Sequence, residues 1–324
     1  MSLFSRRTRT AAAVVAATAV LAGAGVAASG SAVAKASSLP VDWTFDTGFA
    51  AGLPAPETPP PGANNDSCKP GTAHPHPVIL VHGTFENMDD NWRAAAPLLA
   101  NHGYCVFAFN YGGATAGSDV QGTGDIAASA QQMAAFVNQV LAVTGASKVD
   151  IVGHSQGGMM PRYYINSLGG AAKVDKLIGL APSNYGTTIA GITALTTALG
   201  LAAPVDLALD PGCTACAEQV TGSPFLTRLN ATPTVPGVAY TVIETRNDEV
   251  VTPYTHAFLP AAPNVTNITV QNQCPLDQSD HLEIAYDPVA LADVLNALDP
   301  SAPVKVPCMV VLPTAGPVGP VPPF

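Results

Sequence analysis

Gly153-His154-Ser155-Gln156-Gly157 sets a serine between two glycines, directly after the apolar run Val149-Asp150-Ile151-Val152. The run reads as a buried strand, and Gly157 to Asn166 reads as a helix. A G-x-S-x-G pattern says little by itself. On a sharp strand-to-helix turn it exposes the hydroxyl, and the helix N-terminus behind it favours negative charge developing there. Gly153 and Gly157 leave room where a Cβ would meet neighbouring main chain. That is the arrangement of an acyl-transfer nucleophile. The competing interpretation is a serine in an ordinary tight turn.

Such a serine needs a base, and the base needs an orienting acid. At this kind of elbow the partners follow in the order serine, carboxylate, histidine. Only His256 and His281 come after Ser155. His281, in the polar stretch Gln278-Ser279-Asp280-His281-Leu282, is the expected base. His256 lies close after the last strong strand, where the acid belongs. That strand is Thr241-Val242-Ile243-Glu244-Thr245, and Asp248, three residues beyond it, is the expected acid. Its neighbour Glu249 and Asp280, next to His281, are the alternatives. An oxyanion needs two N–H donors. Gln156, after the nucleophile, supplies one. The loop His82-Gly83-Thr84-Phe85-Glu86-Asn87 supplies the other, with Thr84 first and Phe85 second. Gly83 permits the sharp turn, and His82 supports the loop.

These residues need a scaffold. Pro-Val-Ile-Leu-Val before His82, Tyr104 to Asn110, Val149 to Val152, Val174 to Leu180 and Val238 to Thr245 read as strands. Trp92 to Asn101, Ile126 to Thr144 and Gly157 to Asn166 read as helices between them. Alternation of this kind predicts an α/β fold, a mostly parallel sheet covered on both faces. Residues 37–75 are expected to be an extended arm. Residues 186–222 interrupt the alternation and are apolar through their first half. They read as a cap over a greasy cleft, or as a buried helix pair. The last dozen residues, 313–324, are Pro-rich and read as a loose tail, so the catalytic domain is expected to span 37–312.

Arg6, Arg7 and Arg9, followed by an Ala/Val/Gly-rich stretch from Ala11 to Ala28 and small residues at Ala34-Lys35-Ala36, read as a secretory signal over residues 1–36. A membrane anchor is the weaker alternative, so a secreted, extracellular protein is expected. Beyond residue 36 stand 9 basic and 23 acidic groups, a poor surface for nucleic acid or anionic headgroups. All six cysteines (Cys68, Cys105, Cys213, Cys216, Cys274, Cys308) lie past the signal. Their even number fits three bridges, with fifteen possible pairings. Cys213-Thr-Ala-Cys216 lacks the two further ligands a zinc site needs and reads as a local disulfide.

Val81-His82-Gly83-Thr84, the Ser155 elbow, Asn247-Asp248-Glu249-Val250-Val251 and Asp280-His281 together resemble the secreted actinobacterial triacylglycerol lipases of the α/β-hydrolase fold. The likeness runs from about residue 66 to 310. It extends to fungal lipase B enzymes of the Candida antarctica type through Lys173 to Leu177, Ala181-Pro182 and Gly186-Thr187. The resemblance implies ester hydrolysis through an acyl-enzyme, with Ser155, Asp248 and His281 as triad and Thr84 and Gln156 as oxyanion donors. It implies the bridges Cys68–Cys105 and Cys274–Cys308, leaving Cys213–Cys216. No cofactor or metal is expected. The expected partner is a lipid or other hydrophobic ester, free or at an oil–water interface, and a monomer is favoured. A polyester or cutin-type esterase, an acyltransferase, and a non-enzymatic secreted binding protein are the competing functions.

Overall fold

In the computed structural model, which describes residues 38–115, 117–201 and 212–324, the five apolar runs become strands of one six-stranded sheet. They are β1 (Val78–Val81), β2 (Val106–Phe109), β3 (Val149–His154), β4 (Val174–Leu180), β5 (Ala239–Glu244) and β6 (Val265–Thr269). The helices are α1 (Phe45–Gly52), α2 (Ala95–Asn101), α3 (Ile126–Thr144), α4 (Gln156–Ser167), α5 (Ile189–Ala198), α6 (Thr214–Glu218), α7 (Pro224–Asn230), α8 (Val270–Gln273) and α9 (Pro288–Leu298). Every neighbouring strand pair is parallel, in the order β2-β1-β3-β4-β5-β6. The expected export segment 1–36 and part of the 186–222 insertion lie outside the described residues.

Strands buried on both faces read as continuous apolar runs, and β1 shows why. Val78 and Leu80 pack on one face with Trp92, Leu99 and Leu291, while Ile79 and Val81 pack on the other with Met133, Val137 and Met159. Each such side chain contributes roughly 1.5–3 kcal/mol by leaving water. On the second face α3 presents Ile126, Met133, Val137 and Val140 at helical spacing. Asp125 caps its start, accepting from the Ala128 N–H at 2.7 Å. Gly145, at φ 76°, ends it in the left-handed conformation that costs glycine nothing.

The strand order places the site. β2 and β3 flank β1 on opposite sides, so the connections leave the centre in opposite directions. The crevice this opens lies at the carboxyl ends of β1 and β3. Val81 is in register with Gly153. The loop after β1 and the turn after β3 are therefore neighbours.

Three segments differ from expectation. The arm contains α1, whose Phe45 N–H donates to Glu283 Oε2 at 2.9 Å and whose ring meets Tyr286 edge-on. Residues 265–269 add β6 as an edge strand beside β5. The terminal segment carries an antiparallel pair, Val311–Leu312 with Gly316–Pro317, and ends with Phe324 against Trp43. Cys68–Cys105, Cys213–Cys216 and Cys274–Cys308 are disulfide-bonded. Cys274–Cys308 staples the chain leading to His281 to the C-terminal segment.

Candidate active site

Ser155 stands at the junction of β3 and α4 with φ 54° and ψ −123°, a conformation that a non-glycine residue holds only when its surroundings dictate it. The flanking glycines are those surroundings. A Cβ on Gly153 would overlap the Gly157 carbonyl, and one on Gly157 would overlap the carbonyls of Val81 and His82. Pro161 lies inside α4 and has no N–H to return to Gly157 four residues earlier. That carbonyl is left against the Gly153 main chain. The elbow is thus built by three residues that remove atoms.

His281 Nε2 lies 3.0 Å from Ser155 Oγ, and His281 Nδ1 lies 2.8 Å from Asp248 Oδ2. The other Asp248 oxygen accepts from the N–H groups of Val250 at 2.8 Å and Val251 at 2.7 Å, which fixes the carboxylate plane. All three residues are buried. Burial works against a charged imidazole at His281, but the carboxylates of Asp248, Glu249 and Glu86 outweigh it and raise its pKa from 6.5 to about 9. Behind Asp248, burial and the nearby Asp248 charge push the Glu244 carboxyl at the end of β5 well above its ordinary range. The arrangement is a Ser–His–Asp triad, the catalytic machinery of a serine hydrolase.

The alternatives are engaged elsewhere. Glu249 reaches the main chain of His281 at 3.4 Å, not its ring. Asp280 Oδ1 accepts from the Glu283 N–H. His256 faces the Gly186 carbonyl and Thr221. In the loop after β1 the Phe85 N–H donates to Gln121 O at 2.9 Å, while among the described residues the N–H groups of Thr84 and Gln156 have no acceptor. Gln219 Nε2 donates to Thr84 Oγ1, and Ser183 Oγ donates to Gln219 Oε1, both at 2.8 Å. Thr84's hydroxyl proton is therefore free to point away from Gln219. His82 stacks on Tyr111, and burial lowers its pKa to about 4, so it supports the loop as a neutral ring.

Ser155 opens on a tight pocket of about 10 Å³ walled by Phe85, Ile192, Leu195, Val250 and Val251, with Thr84 and Gln219 at its polar end. Ile192 and Leu195 come from α5, which begins at the Thr188 cap, whose Oγ accepts from the Gly191 N–H. A Cβ on Gly191 would overlap the Val250 carbonyl, so glycine there lets α5 lie directly on the loop that carries Asp248. The described part of the insertion is thus an apolar helical cap on the site. Ile192, Leu195 and Leu199 face inward, and Ile189 is half exposed. A larger groove of about 550 Å³, between the end of β2 and α3, contains no member of the triad.

His76, Asp150 and Asp175 bring ligand atoms within 4.8 Å of one another. They stand at the opposite, amino-terminal edge of the sheet. Lys176 lies 3.7 Å from Asp150 and 3.2 Å from Asp175, and Lys148 lies 3.1 Å from Asp175. The positive charge is already supplied, so this is an ion-pair cluster. Sequence reasoning missed Gln219, Glu86, Asn91 and the partners of His154. Their roles depend on contacts between distant segments, and only the position of His154 inside the elbow hinted at one of them.

Comparison with known proteins agrees with the geometry. The profile of the family described as "Lipase (class 2)" matches residues 75–292. Triacylglycerol lipases of Pseudarthrobacter phenanthrenivorans and Burkholderia plantarii are each 42% identical to this chain over 93 residues, 27% of its length. The match spans only 27% and 24% of those two proteins. Among solved structures, Aspergillus fumigatus lipase B superposes with a TM-score of 0.55 at 20% identity, covering 76% of this chain and 56% of that one, a likeness of fold. With two thirds of its length inside the family profile, and a triad on the carboxyl edge of an α/β-hydrolase sheet, the chain belongs to the class 2 lipase family.

Proposed function

We propose that the protein hydrolyses carboxylic esters of apolar acyl chains, triacylglycerols foremost, through an acyl-enzyme on Ser155. The observation that carries this reading is the unbroken hydrogen-bond chain from Ser155 through His281 to Asp248 on the wall of an apolar pocket. His281 takes the Ser155 proton as Oγ attacks the ester carbonyl. Asp248 holds the imidazole by Nδ1–H and stabilises its charged form. The N–H groups of Thr84 and Gln156, with the Thr84 hydroxyl, receive the oxyanion. One such donor supplies about 3 kcal/mol in the transition state. The proton passes from His281 to the leaving alcohol, and water then releases the acyl group by the reverse route.

The acyl chain lies against Ile192, Leu195, Val250 and Val251, each methylene contributing roughly 0.8 kcal/mol. Residues 1–36 direct export, a reading supported by the three arginines ahead of the apolar stretch and by three disulfides in the remainder. The catalytic machinery lies within residues 37–312, and the terminal segment packs back on that domain through its strand pair and Phe324. The test is hydrolysis of p-nitrophenyl esters and triacylglycerols across acyl lengths, dissolved and emulsified. Turnover of emulsified long-chain triacylglycerol supports the lipase reading. Turnover confined to polyester films, or acyl transfer without hydrolysis, would replace it.

A further inference from the structure

We propose that Glu86, Asn91 and His154 are positioning residues, a buried unit that holds the oxyanion loop, the nucleophile elbow and the main chain of the catalytic histidine as one piece. This rests on the ester-hydrolase reading above.

His154 Nε2 lies 2.8 Å from the carbonyl oxygen of His281. A carbonyl only accepts, so Nε2 carries the proton and donates it. His154 Nδ1 lies 2.9 Å from Glu86 Oε2 and 3.0 Å from Asn91 Nδ2. Asn91 Nδ2 donates to the other Glu86 oxygen at 3.0 Å, and Asn91 Oδ1 accepts from the Gly83 N–H at 3.0 Å. Glu86, Asn91 and His154 are each at most 1% exposed. Gly83 is needed for this packing, because a Cβ there would overlap Glu86 Oε2.

The unit reaches the oxyanion loop, the nucleophile and the base through main chain. Gly83 precedes Thr84, His154 precedes Ser155, and the carbonyl it holds belongs to His281 itself. Burying a carboxylate against an imidazole is a poor way to gain stability, since apolar side chains of the same volume do as well or better. What directional bonds supply is position. The attack on the ester tolerates little displacement, and about 1 Å costs on the order of 10²-fold. Glu86 and His154 touch neither substrate nor reacting atoms, so their effect passes through His281 and the loop.

The test uses the full-length protein with Glu86→Gln and His154→Gln, both close in size to the native side chains. Three quantities are read: active sites titrated with a phosphonate ester, kcat and KM per titrated site on a soluble short-chain ester, and the low-field imidazole N–H proton resonances. In the wild type two such resonances are expected. Asp248→Asn removes the one from His281 Nδ1–H, and Glu86→Gln shifts the one from His154 Nε2–H, because the ring is no longer held from its other side. Glu86→Gln lowers kcat per titrated site by about 10²-fold with KM unchanged. His154→Gln, which keeps a donor toward the His281 carbonyl, loses less. If either variant has fewer titratable sites but wild-type kcat at each, the unit only stabilises the fold and the proposal fails. It fails equally if Glu86→Gln leaves the His154 Nε2–H resonance where it stands in the wild type. A wild type that neither reacts with the phosphonate nor turns over any ester overturns the underlying hydrolase reading instead.

Discussion

Two buried histidines each face a carboxylate through Nδ1, His281 with Asp248 at 2.8 Å and His154 with Glu86 at 2.9 Å. The pairs stand side by side, with ring centroids 5.1 Å apart. They differ in what faces the other nitrogen. For His281 it is the hydroxyl of Ser155, which can give up a proton; for His154 it is a carbonyl oxygen, which has none. A carboxylate–histidine pair is therefore not by itself a catalytic device. The third group decides whether the pair moves a proton or only fixes a position. The carboxylates are also anchored differently. Asp248 is held by two main-chain N–H groups of its own loop, whereas Glu86 is held by the Asn91 side chain.

The comparison breaks first at the histidines. His281→Ala should lower turnover by roughly six orders of magnitude, since a base and its nucleophile act as a unit. Equal losses in His281→Ala and His154→Gln, measured as kcat on purified folded protein, would erase the distinction drawn here.

Asp248→Asn should cost about 10⁴-fold, because an amide no longer holds the required tautomer. It should also move the pH profile. His281 must be neutral to act as base, so activity rises as pH passes its pKa, which the facing carboxylates hold at about 9. The acidic limb of kcat/KM in the wild type is expected well above 6.5, with its midpoint displaced toward that value. Removing the Asp248 charge should bring the limb down in pH. A limb that stays in place would mean that Asp248 does not set the histidine's pKa.

The cap sharpens the comparison on the substrate side. Leu195→Asn should lower turnover of long-chain emulsified esters on the order of tenfold while sparing dissolved short-chain esters, because only the long chain reaches that wall. Equal losses on both, together with a lower Tm, would make Leu195 ordinary core.

The smallest effect concerns a buried carboxyl that has no histidine. Glu283 accepts from the Phe45 N–H, and burial pushes its pKa from 4.5 up to about 10. It stays neutral in the folded chain and ionises on unfolding. The stability linked to it is complete below its unfolded pKa and declines as pH rises toward the folded value. Glu283→Gln should therefore have a Tm close to wild type in mild acid and a higher one in mild alkali, by a few degrees. A difference independent of pH would show that Glu283 is ionised in the folded protein.

The triad was legible because its signals are local. A strand-like run ends at a G-x-S-x-G, and chain order leaves two histidines to choose between. The β-runs were legible because strands buried on both faces cannot hide their composition. β6 was missed because an edge strand with exposed Thr266 and Asn267 shows no apolar run. α1 was missed for a different reason. Its Gly48 and Gly52 weaken any helical signal, and they are there because Tyr286 and Asp90 press against them from remote parts of the chain. The unit around His154 has the same character. Glu86 lies 68 residues before its partner, and no spacing rule joins them.

The most direct measurement is rapid mixing with p-nitrophenyl butyrate, acid trapping before the steady state, and peptide mapping of the bound acyl group. One butyryl group per molecule, on Ser155, released with the kinetics of turnover, is the expected result. No trapped acyl group, or one carried by any residue other than Ser155, would contradict the account.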